Sequence, residues 1–424
     1  MTIKHVKQRL YSMRRIVFIL LSCCLCIAAM AQHRVFAPDV KTLTVVAGND
    51  WLSPPVLTMG DGEVLSIAFD RMSHEYQQYT YHVERCEADW TSSNELFEVD
   101  WLQGFNDQPI EDYEASVNTT VPYIHYRLSI PNELTQLKLS GNYGLSIIDE
   151  EGETVAEVRF MVLEDIMPLS LTVTTNTDID VNNSHQQLSM SVGYNGQNVT
   201  RPQEQIYTVV TQNQQWERAV VNPAPDGLSN GGKGLAWNHV RALIFDAGNE
   251  YHKFETLSTS HPTMGIDRME WDGEAYNAYP FENELRRNYL YDEDADGAFY
   301  IRNSDNWEND VTSDYVRVNY CLRCPHPMDG TLFVNGTWTT DASNPNTYAM
   351  TYGETDHCYH AAIWQKQGYY NYQYVLRRPD GTQTTTPAEG SFYQTENRYQ
   401  AYVYYRSNTG RTWHLVGYRQ IIFK

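Results

Sequence analysis

The feature that most constrains this chain is an alternation of apolar and polar side chains with a period of two, recurring along most of its length. Leu65, Ile67 and Phe69 alternate with small residues, and Tyr79, Tyr81 and Val83 repeat the spacing. Ile124, Tyr126, Leu128 and Ile130 are interleaved with His125, Arg127 and Ser129. Leu188, Met190, Val192 and Tyr194 continue it, as do Val316, Val318, Tyr320 and Leu322. Successive side chains of a strand point to opposite faces, so this spacing marks strands with one face in a core and one toward solvent. Turn-forming pairs divide the runs: Asp61-Gly62, Glu151-Gly152, Asn195-Gly196, Asn335-Gly336 and Asp380-Gly381. Glu282 to Tyr291 is the one stretch that reads as a helix of any length. Short strands separated in this way predict an all-β protein of tandem antiparallel β-sandwich domains, immunoglobulin-like in architecture.

The expected division has four parts. Residues 1–31 read as a secretory signal peptide: Lys4, Lys7, Arg9, Arg14 and Arg15 precede an apolar run from Ile16 to Ala29, closed by Ala29-Met30-Ala31. That run is shorter than the roughly 20 residues a membrane span needs. Arg14-Arg15 lacks the surroundings of a twin-arginine signal, and Leu21 fits a lipoprotein box before Cys23 poorly. An N-terminal β-sandwich is expected over 32–166 and a middle β domain over 167–312. A C-terminal immunoglobulin-like sandwich is expected over 313–424, beginning after the acidic stretch Asp292 to Asp314.

Charge narrows the partners. The net charge is −22, and removal of five basic leader residues takes it to −27. Such a surface repels nucleic acid and anionic lipid, so neither nucleic-acid binding nor direct membrane insertion is expected. The 31 Tyr against 13 Phe and 10 Trp suit half-buried strands, or a rigid aromatic contact surface for a protein or a glycan.

Four cysteines follow the leader: Cys86, Cys321, Cys324 and Cys358. Cys321-Leu-Arg-Cys324 with His326, His357, Cys358 and His360 has some of the residues of a zinc site, but its second half is a lone cysteine among histidines. In an exported chain the expectation is a disulfide from Cys358 to Cys321 or Cys324, with Cys86 unpaired and buried. Asp292, Asp294 and Asp296, followed by Gly297, have the D-x-D-x-D-G spacing of a calcium loop. Asn303 stands where an EF-hand has its closing Glu, so a solvated acidic turn is the simpler account. No other cofactor is implied. Nucleophile-elbow, zincin, phosphate-loop and dinucleotide signatures are missing from the sequence, and no enzymatic activity is expected.

In the third unit, Leu332-Phe-Val-Asn-Gly-Thr-Trp338, Tyr348-Ala-Met350 and Gln367-Gly-Tyr-Tyr-Asn-Tyr-Gln-Tyr-Val375 are similar to immunoglobulin-like glycogen-binding modules. By that resemblance Trp338 and Trp364 are readable as sugar-stacking platforms or as core residues of a sandwich.

An ordered set of segments in the first unit carries a second resemblance: Asn49-Asp-Trp51-Leu-Ser-Pro-Pro-Val-Leu57, Cys86-Glu-Ala-Asp-Trp90, Leu102-Gln-Gly-Phe-Asn106 and Ile110-Glu-Asp-Tyr-Glu-Ala-Ser116. Tyr123-Ile-His-Tyr126, Pro131-Asn132 and Ser140-Gly-Asn-Tyr143 follow. Lys366-Gln-Gly-Tyr-Tyr-Asn-Tyr372 and Glu389-Gly-Ser391 extend it near the C-terminus. In that order they resemble the type IX secretion system plug proteins of the Bacteroidota. The resemblance implies a non-catalytic periplasmic protein, peripheral to the outer membrane, whose partner is the outer-membrane translocon barrel. Its implied task is to occlude the periplasmic mouth of that pore. Trp51, Trp90, Tyr113, His125 and Tyr143 are expected to be structural. The competing reading is an exported glycan-binding protein using Trp338 and Trp364.

Overall fold

The computed structural model describes residues 33–424, so the leader expected at 1–31 lies outside the described residues. Among the described residues strands make up 46% and helix 6%, which settles the class as all-β. The period-two positions turn inward as their spacing requires. Leu65, Ile67, Phe69, Tyr79, Tyr81 and Val83 are buried in one core, and Val316, Val318, Tyr320 and Leu322 in another.

The first unit is a sandwich of two sheets. One contains the strands Thr80–Cys86, Gly141–Ile148 and Thr154–Leu163, paired antiparallel, with Val56–Thr58 added in parallel at one edge. The other runs Val40–Ala47, Leu65–Arg71, Ile124–Ile130, Asp112–Ala115. Glu151-Gly152 turns the chain between two neighbouring strands, with Gly152 at φ +85°, a conformation that costs other residues strain.

Sheet pairing beyond the first unit departs from the expected boundaries. The C-terminal hairpin of Asn397–Tyr405 and His414–Phe423 does not belong to the third sandwich. It pairs with Ile206–Gln212 and completes the second unit, where Tyr399, Val403 and Val416 share a core with Leu188, Val192 and Trp237. Conversely His252–Glu255, Ile266–Trp271 and Tyr276–Pro280 join the third unit. The chain leaves the second unit near residue 248, builds the third, and returns. Local alternation carries no information about which distant strand completes a sheet, so the division at 312/313 was not available from spacing.

The helix expected over Glu282 to Tyr291 is not formed. Asn283–Glu284 is a short strand, parallel to Leu322 and Arg323. Its Asn283 amide donates to the hydroxyls of Tyr372 and Tyr374 at 2.7 and 2.9 Å. Those two bonds satisfy phenols in the core and outweigh a weak local helical preference.

Candidate functional site

The three sandwiches meet through polar residues on strand faces that alternation assigns to solvent. On the first unit Asp70 and His125 are in-register partners on adjacent strands, and on the third unit Tyr315 and Lys366 are too. These two pairs face one another. Asp70 Oδ2 accepts from Lys366 Nζ and from the Tyr315 hydroxyl, each at 2.7 Å, while Oδ1 lies 2.6 Å from His125 Nδ1. The Lys366 ammonium also sits 4.1 Å from the centre of the Tyr123 ring. Burial opposes ionisation of Asp70, but the Lys366 and His125 charges prevail and hold its carboxyl below the ordinary value. Burial likewise pulls the Lys366 ammonium below its usual value, with Asp70 opposing it. Nearby, Asp314 of the third unit accepts from the backbone amides of Thr120 and Val121 at 2.8 and 3.1 Å.

A second junction joins the first unit to the C-terminal hairpin. Cys86, Trp90, Met161 and Leu163 form one apolar cluster with Val209, Tyr402, Tyr404 and Leu415. The buried Arg85 guanidinium crosses it, donating to the carbonyls of Cys86, Ser140, Asn142 and Trp413. Gly141 is needed here. It lies at φ +127°, and a Cβ would fall 2.2 Å from Arg85 Nη2. The Tyr404 hydroxyl adds a bond to Asn142 Oδ1 at 2.8 Å.

Between the second and third units Arg398 Nε donates to Asp296 Oδ2 at 2.6 Å, and Gln215 donates to the Tyr251 hydroxyl at 2.7 Å. Around the place where the three units come together lies a cleft of about 1120 Å³, lined among others by Trp51, Trp90, His125, Arg159, Trp216 and Lys366.

The residues singled out from sequence fare unequally. The three aspartates do not converge on a cation cage. Asp292 is held by Lys253 at 2.6 Å, Asp296 by Arg398, and Asp294 accepts from the backbone amides of Tyr251 and Asp296. Cations and amides engage these oxygens except Asp296 Oδ1, which is buried without a partner, and the three carboxylates do not converge on one point, so the donor set does not fit calcium. Desolvation comes first, then neighbouring carboxylates: together they raise Asp294 to about 6 and Asp296 to about 7.

Trp338 is not a platform. It is 8% exposed, packs with Tyr348 and Tyr370, and donates Nε1–H to the Asn371 carbonyl at 2.8 Å. Asn335-Gly336 is correspondingly no hairpin turn, because Gly336 is the contact that lets the Trp338 indole approach. Trp364 is 37% exposed on an outer strand face, with the Arg317 guanidinium 5.2 Å from its ring centre. The two tryptophans therefore share no binding face.

All four described cysteines are free thiols, in contrast to the expected disulfide. Cys324 donates to the His326 carbonyl at 2.9 Å and takes no part in a cluster with Cys358. Cys321 does face Cys358, together with His360.

The segments that carried the sequence resemblance lie largely at the junctions. Trp51 packs on Tyr300 and Tyr369, Trp90 meets Trp216 edge-on at 5.6 Å, and His125 and Lys366 belong to the buried charge cluster. Tyr143 is in the first core, and Tyr113 is exposed against Tyr76 at 4.7 Å. Sequence reasoning did not single out Asp70, Arg85 or Asp314. The available signal was indirect: Phe160 to Leu163 and Tyr402 to Tyr405 are unbroken apolar runs, the mark of strands covered on both faces.

One apolar surface stays exposed among the described residues. Phe97, Val99, Phe105 and Leu134 are exposed along a small ribbon made by the helical turn Glu98–Trp101 and the paired strands Leu102–Gly104 and Thr135–Leu137. Clustered exposed apolar groups of this kind mark contact surfaces.

Fold and junctions together define a class: a tandem β-sandwich protein whose units are fused by buried contacts. Residues 40–164 match the family described as "Type 9 secretion system plug protein 1st domain". The crystal structure of a hypothetical protein from Parabacteroides merdae ATCC 43184 is similar at 34% identity, with a TM-score of 0.88. The alignment covers 92% of this chain and 99% of that one. No curated protein matches the sequence. The first unit of this chain belongs to the type 9 secretion system plug protein first-domain family.

Proposed function

We propose that this protein is a non-catalytic periplasmic plug that docks on the outer-membrane translocon barrel of the type IX secretion system and seals its periplasmic mouth. The observation that carries the reading is the buried Asp70–Lys366–His125–Tyr315 cluster between the first and third units. A seal must not open under its own thermal motion. Units joined by desolvated, mutually paired charges move as one body, whereas a wet interface between sandwiches leaves them free to hinge. Family membership supplies the translocon as partner. The apolar ribbon around Phe97 and Phe105 lies inside the family-matched segment and is the surface we assign to the barrel. Among the described residues no helix is long and apolar enough to cross a membrane, in keeping with peripheral attachment through a partner.

The test is affinity capture of the tagged protein from its native envelope. The expected result is recovery of a very large outer-membrane barrel, with deletion of the gene making the outer membrane leakier to small dyes. Capture that yields no barrel subunit refutes the proposal.

A further inference from the structure

On the outer face of the third unit, strands Tyr315–Arg323 and Cys358–Lys366 pair so that Cys321 is directly opposite His360 and Arg323 opposite Cys358. Cys321, Cys358 and His360 therefore share one face of one sheet. One ligand atom from each, two sulfurs and a ring nitrogen, lies within 4.8 Å of the others. We propose that these three residues form a binding site for a thiophilic divalent cation of the zinc class, open at its fourth position.

Three features favour this over the alternatives. The ring of His360 is held in place: Asp356 Oδ2 lies 2.7 Å from its Nε2, while Oδ1 accepts from the Cys358 amide at 3.3 Å. Carboxylates on metal-ligating histidines have this orienting role. The turn that presents Asp356 is itself fixed, with His357 at φ +56° and its amide bonded to the Gly353 carbonyl at 3.0 Å.

The spacing also suits a metal. Zinc bonds of roughly 2.0–2.3 Å place tetrahedral ligands about 3.5–4 Å apart, so a small inward movement of side chains completes the shell. A disulfide between the same cysteines is less favoured by position. They are two registers apart across the sheet, where residues stand roughly 7–8 Å apart, and bridging Cα atoms more than about 7 Å apart requires the backbone to move.

Finally, two thiols and an imidazole brought to one point are the donor chemistry that a thiophilic cation selects. Binding releases both thiol protons to solvent, so affinity rises with pH. The sequence pattern includes these three residues among those of a possible zinc site but pairs Cys321 with Cys324, whereas the sheet selects Cys321, Cys358 and His360 and leaves Cys324 aside.

The experiment uses the whole mature chain, purified under reducing conditions, loaded with zinc and dialysed. Elemental analysis is expected to find one zinc per chain, and cobalt in its place is expected to show thiolate charge-transfer and tetrahedral d–d bands. Cys321→Ser, Cys358→Ser and His360→Ala each lose the bound metal, Asp356→Asn weakens binding about 10–100-fold, and Cys324→Ser retains it. The inference is overturned if the reduced chain binds no zinc. It is also overturned if Cys324→Ser abolishes binding as fully as Cys321→Ser, or if His360→Ala has no effect. A chain purified without reductant that lacks two hydrogens, with Cys321 and Cys358 in one linked peptide and no metal taken up after reduction, overturns it as well. Circular dichroism of each variant confirms that the fold persists.

Discussion

Lys366 Nζ lies 2.7 Å from Asp70 Oδ2, and both side chains are essentially closed to solvent although they come from different sandwiches, 296 residues apart in the chain. Removing one member of such a pair leaves the other charged and buried. Lys366→Met is expected to destabilise the protein by roughly 3–5 kcal/mol, and Asp70→Asn combined with Lys366→Met by clearly less than the two single changes together. Because the Asp70 carboxyl is held below its ordinary value, its contribution is present above the usual carboxylate range. It is lost as pH falls through the depressed value. Urea denaturation of the four-member cycle reads these terms; additive effects would mean the pair does not couple the units.

The Asp294–Asp296 loop has the opposite pH dependence. Both acids are raised in the folded protein, to about 6 and about 7, first by burial and, for Asp296, then by the Asp294 charge; Glu396 adds to each, while backbone amides and Lys253 oppose the rise at Asp294 and Arg398 opposes it at Asp296. The folded state then holds more protons than the unfolded one between about pH 4 and 7. The stability these groups contribute is full below the ordinary carboxylate pKa and is lost as pH rises through their folded values. Asp294→Asn, which keeps an acceptor and removes one charge, should raise the melting temperature at pH 8 and flatten its decline from pH 5. An unchanged melting profile would contradict this.

Gly141 is expected to tolerate no side chain. Gly141→Ala brings a Cβ against an Arg85 guanidinium already held by four carbonyls, at a backbone φ of +127°. A loss of roughly 2–4 kcal/mol is expected. Limited proteolysis should then release the C-terminal hairpin earlier than in the parent protein.

Trp338→Ala and Trp364→Ala separate core from surface. Truncating the buried, hydrogen-bonded Trp338 should cost about 3–5 kcal/mol, whereas Trp364 on the outer face should matter little to stability. If both variants kept parental stability and lost retention on an insoluble polysaccharide, the core assignment of Trp338 would fall.

The exposed ribbon is the place to test contact with the translocon. Phe97→Ser with Phe105→Ser changes side chains that are 76% and 67% exposed, so thermal stability should shift by no more than about 0.5 kcal/mol. Capture of the barrel should drop sharply. Full capture by the double variant would move the contact surface elsewhere.

The inward half of this protein was written in its sequence. Alternation at Leu65, Ile67 and Phe69, or at Val316, Val318 and Tyr320, selects strand and core face at once. A one-residue slip would put the whole set in water. The outward half was not. By the same alternation Asp70, His125, Tyr315 and Lys366 are solvent-facing residues, and Cys321 is grouped with Cys324 rather than with His360. Only the tertiary structure closes a second sheet over the first four, makes the last hairpin part of the second unit, and sets Cys321 beside Cys358 and His360. The physical reason is range. Periodicity reports what a strand's two neighbouring faces prefer, while docking and register depend on partners as far as 296 residues away, which no local pattern encodes.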